Sequence, residues 1–76
     1  MEEQRDYGPQ PIAELMEKHN LKAHDLVAAS TEQITHKMVS RACKGRKLSR
    51  RVQLKIRNAI NIATEQSYKL DDLFTY

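Results

Sequence analysis

Each apolar stripe in this chain repeats with the period of a helix and breaks after a short run. Ile12, Leu15, Met16 and His19 recur at i, i+3, i+4 and i+7, and Ala23, Leu26, Val27 and Ser30 repeat that spacing. Val39 and Ala42, joined in part by Met38 and Cys43, form a third stripe. Val52, Ile56, Ala59, Ile60 and Ala63 line one face of a longer fourth segment, and Leu70, Leu73 and Phe74 supply a last turn. No segment alternates with period two for long enough to make a strand. The expected fold is therefore all-α, a compact bundle of about five short helices.

Punctuation between the stripes sets the expected boundaries. Residues 1–10 read as a flexible leader that ends at Pro9 and Pro11, and Pro11 suits a first helical position, where its missing N–H costs nothing. Asn20 can take the left-handed position that ends a helix, with Leu21 packing back on it. Ser30-Thr31-Glu32-Gln33 is a polar turn after a second helix over about Ala23 to Ala29. Thr35 is a good N-cap for a third helix that Gly45 stops, with Ile34 stapled against Val39. Ser49 caps the fourth helix, whose Leu54 lies about 160° from Ile56 on the wheel and is expected to face solvent together with Arg57.

At 76 residues the chain holds one small core, so residues 11–76 are expected to make a single domain. With one Phe, three Tyr and no Trp, that core must be aliphatic. The single cysteine, Cys43, excludes an intramolecular disulfide and reads as a partly buried packing residue. No signal peptide is visible and no run approaches the roughly 18 apolar residues that span a bilayer, which points to a cytoplasmic protein with no membrane partner.

Enzyme chemistry finds no support. His19, His24 and His36 include no i, i+4 pair, so no metal site is expected. Asp71 and Asp72 are helical neighbours that diverge by about 100°, unsuited to paired acid and base work. No glycine-rich phosphate loop or nucleophile elbow occurs. Neither a catalytic residue, a cofactor nor a small-molecule substrate is expected.

Charge is segregated along the chain. Residues 1–32 carry seven acids against three bases, and residues 65–76 carry three acids against one base. Residues 33–64 carry nine bases and no acid. A solvated helix normally mixes both signs on its exposed face, so the missing negative charge is expected from acids elsewhere in the fold or from a polyanion. Duplex nucleic acid is one such polyanion, with a negative charge per about 1.7 Å of axis.

Two short helices joined by a tight polar turn and followed by a glycine stop have the layout of a helix-turn-helix, whose second helix enters the major groove. Around the third helix Val39 and Ala42 would face inward, and His36, Lys37, Ser40 and Arg41 outward, where they would read base edges. Lys44, Arg46, Lys47, Ser49, Arg50 and Arg51, with Lys55 at the margin, suit phosphate oxygens.

On these residues the chain resembles the lambda-repressor-like DNA-binding domains of the Cro and phage-repressor type, over about Pro11 to Phe74. LMEKHNLKAHDLVAAS stands for the first helix, turn and second helix, ITHKMVSRACKGR for the recognition helix and its glycine, and YKLDDLF for a closing Leu-x-x-Leu-Phe element. Three features depart from the family pattern. Lys22 and Ala23 replace the Ser and phosphate-binding Gln that open its second helix. The link between the second and third helices is about two residues longer and lacks its turn glycine, and the fourth helix is longer and more basic.

The resemblance implies sequence-specific binding to double-stranded DNA by a small transcriptional regulator, with a homodimer as a possible assembly because such proteins usually read two half-sites. The alternative is a protein-interaction module whose basic face docks an acidic partner. RNA fits less well, because Tyr7, Tyr68, Phe74 and Tyr76 lie outside the basic segment and give it no stacking platform.

Overall fold

The computed structural model describes residues 7–75. Five helices follow in order: α1 (Pro11–Lys18), α2 (Ala23–Ala29), α3 (His36–Lys44), α4 (Arg50–Thr64) and α5 (Leu70–Leu73). No strand occurs among the described residues, so the molecule is an all-α bundle. α4 runs through the centre against α2, α3 and α5. α1 closes the other side against α3 and α5.

Each stripe buries where its period demands. Ile12 and Met16 of α1, Leu26 of α2, Val39 and Ala42 of α3, Ile56, Ala59 and Ile60 of α4, and Leu73 and Phe74 at the end form one core, with Ile34 between α2 and α3. Val52 and Ala63, at the two ends of the α4 stripe, are half-buried against it.

Three helices end in the same way. At α1 the Asn20 N–H donates to the Glu17 carbonyl and the Leu21 N–H to the Met16 carbonyl, with Asn20 at φ 58°. At α3 the Gly45 N–H donates to the Ala42 carbonyl and the Arg46 N–H to the Arg41 carbonyl, with Gly45 at φ 86°. At α4 the Gln66 N–H donates to the Asn61 carbonyl, with Glu65 at φ 57°. Each closes its helix by sending the chain through a left-handed residue, which satisfies carbonyls that would otherwise lack partners.

Start signals are equally local. Thr35 Oγ1 accepts from the Met38 N–H at 3.2 Å and Ser49 Oγ from the Val52 N–H at 3.3 Å. Lys22 and Lys69 have no acceptor to offer as N-caps. There the first-turn carboxylates act in the reverse sense, Asp25 accepting from the Lys22 N–H at 2.7 Å and Asp72 from the Lys69 N–H at 2.9 Å. Asp72 therefore has a structural task.

Three expectations need correction. Residues 7–10 are not a free leader: the Tyr7 N–H donates to the Gly45 carbonyl and the Gln10 N–H to the Cys43 carbonyl. The Gln10 side chain is 1% exposed, its Nε2 donating to the Gly8 carbonyl and its Oε1 accepting from the Thr75 N–H and hydroxyl. The rest of the expected leader, residues 1–6, lies outside the described residues, as does Tyr76. On α4, Leu54 is half-buried, and the exposed large apolar residue of that helix is Ile62. Arg57 is half-buried too, with its Nε shut off from solvent and without a partner.

Candidate nucleic-acid interface

α3 is held on three sides, by α1, α2 and α4, which leaves one face outward. Its period divides the helix cleanly. Val39 and Ala42 are buried and Met38 and Cys43 half-buried, whereas His36, Lys37, Ser40, Arg41 and Lys44 are all exposed. All four residues expected to read bases thus lie on the open face, because i, i+1, i+4 and i+5 fall on one side of a helix.

Beyond Gly45 the chain turns directly into the start of α4. Lys47, Ser49, Arg50 and Arg51 are exposed, while Arg46 and Lys55 are half-buried. Arg46 is engaged within the protein, its N–H closing the end of α3. The connection of 45–49 is short, so these cations follow the last turn of α3 in space as well as in sequence.

Acids among the described residues do not neutralise the exposed cations of this face. Among the described residues no ion pair joins Lys37, Arg41, Lys44, Lys47, Arg50, Arg51 or Lys55 to an acid, and the pair that does occur is His24 with Asp25 at 3.3 Å. Arg41 and Lys44, in the last turn of α3, do meet the negative end of its dipole, worth about 0.3–1 kcal/mol per charge at an exposed site. That interaction leaves their head groups free for an external anion.

The chain matches no known protein family, and comparison with curated proteins and with solved structures found no match.

The link before α3 holds residues that sequence alone did not mark as functional. The Ser30 hydroxyl donates to the Glu32 carbonyl at 2.7 Å and accepts the Glu32 N–H at 3.0 Å, which makes a tight turn after α2. The Glu32 side chain is met from α4 by Asn58 Nδ2 at 3.2 Å. That contact joins residues 26 positions apart. The one available signal was that Glu32 is the single acid in a long basic stretch.

Other candidate chemistry sits apart from this face. His19 Nε2 and the Tyr68 hydroxyl are 3.0 Å apart, and Asn61 pins Tyr68 through both backbone groups, so His19 ties the end of α1 to the α4–α5 link. Cys43 Sγ donates to Met16 Sδ at 3.5 Å, and burial pushes its thiol pKa up, which suits packing and not nucleophilic work. Among the described residues no group of His, Cys, Asp or Glu is arranged to hold a metal ion, and no helix is long and apolar enough to cross a membrane.

Proposed function

We propose that the protein binds double-stranded DNA sequence-specifically, with α3 in the major groove and the α3–α4 connection on the phosphates. The observation that carries this reading is the face of α3 itself. A helix anchored by Val39 and Ala42 presents His36, Lys37, Ser40 and Arg41 to solvent, with no acid among the described residues paired to its cations. Lys37 and Arg41 have the donors for guanine O6 and N7, Ser40 can serve several bases, and His36 reaches a base or a phosphate. Lys44, Lys47, Ser49, Arg50, Arg51 and Lys55 then serve the backbone, which fixes register without reading sequence.

A regulator of transcription is the role that fits such a small binding unit, and a two-fold assembly would let two copies of α3 read successive major grooves about 34 Å apart. Titration of the labelled protein with a short duplex, followed by NMR, tests the surface. Shifts are expected on Lys37, Ser40 and Arg41 and on residues 47–51. Shifts confined to α1 and α5 would contradict the reading.

A further inference from the structure

Glu32 is the single acid between Asp25 and Glu65, in a stretch otherwise rich in bases. It stands three residues before Thr35, the N-cap of α3, and so borders the face proposed above for DNA. A carboxylate free to swing there would oppose the phosphates, since like charges within a Debye length of about 10 Å at 0.1 M salt repel one another.

The carboxylate is not free. Asn58 Nδ2 donates to Glu32 Oε1 at 3.2 Å, and Asn58 Oδ1 accepts from Arg57 Nη2 at 3.0 Å. Guanidinium, amide and carboxylate form a chain in which the cation polarises the amide toward the acid. Arg57 is half-buried, unlike the exposed cations of α3, and reaches Glu32 only through the Asn58 amide. The Ser30 turn holds the Glu32 backbone while Asn58 holds its side chain.

We infer that Asn58 is a positioning residue for the DNA face, drawing the Glu32 carboxylate toward α4 and holding it off the approach to α3. This rests on the DNA-binding reading, and the test separates the two. Affinity for a random-sequence duplex pool at 0.1 M salt is compared for wild type, Asn58→Ala, Glu32→Gln and the double variant, with thermal unfolding to establish that each folds.

Release of Glu32 in Asn58→Ala should weaken binding by about three- to tenfold. The double variant should recover wild-type affinity, and Glu32→Gln alone should change it little. A merely structural role for Asn58 predicts no recovery, because Gln at position 32 still lacks its partner. Unchanged binding by Asn58→Ala, or loss without recovery, overturns the inference while the DNA reading stands. Absence of binding by the wild type overturns both.

Discussion

The backbone of Gly8 passes so close to Gly45 that a Cβ added to Gly45 would overlap the Gly8 carbonyl oxygen and lie 2.7 Å from the Gly8 nitrogen. Gly45 is also the left-handed residue that closes α3, so two independent demands exclude a side chain there. One is local and one is tertiary. Gly45→Ala should destabilise the fold by about 2 kcal/mol or more, and lower the melting temperature by roughly 10 °C. Thermal unfolding followed by circular dichroism checks it.

Glu65 occupies the equivalent left-handed position at the end of α4, at φ 57°, and puts a negative charge at the negative end of the helix dipole. Both features oppose stability. Glu65→Gly should raise stability by about 0.5–1 kcal/mol, seen as a melting temperature a few degrees higher, because the conformational preference and the charge both improve.

Cys43 gives a pH signature with a definite sign. Burial raises its folded-state pKa above 9.0, so below the unfolded value both states hold the proton and the group has no effect on the slope. As pH rises past about 9 the unfolded thiol ionises first, and stability falls until the folded thiol follows. Denaturant midpoints between pH 8 and pH 10 (roughly the range that brackets a thiol) should therefore fall more for wild type than for Cys43→Ala.

Arg41 and Arg50 should differ in kind. Arg41→Ala removes a donor from the open face of α3 and should relax preference at one base pair by about 1–3 kcal/mol. Arg50→Ala removes a charge at the start of α4 and should weaken binding almost equally for all sequences, lowering the slope of log affinity on log salt by about 0.9. Competition assays with single-base operator variants across a salt series separate the two outcomes.

Much of the architecture was legible because its determinants are local. Asn20 and Gly45 take the left-handed positions and Thr35 and Ser49 supply the caps that their residue types suggest, and α2 spans the expected Ala23–Ala29. The outward set on α3 followed from period alone. What escaped prediction depends on distant partners. Gln10 is buried because Thr75, 65 residues away, satisfies its oxygen, and no pattern near either residue encodes that pairing. Asn58 reaches Glu32 across the gap between α4 and the α2–α3 link, a contact that exists only once the helices have packed.

Selection of a random-sequence duplex pool on the wild-type protein, with affinity measured across a salt series, asks whether α3 reads DNA sequence. Affinity that falls steeply with salt, together with enrichment of a defined motif, is the predicted result, and a palindromic motif would give the two-fold mode as well. Absence of binding even at low salt would rule out DNA as the ligand of this face and direct it toward an acidic protein partner instead.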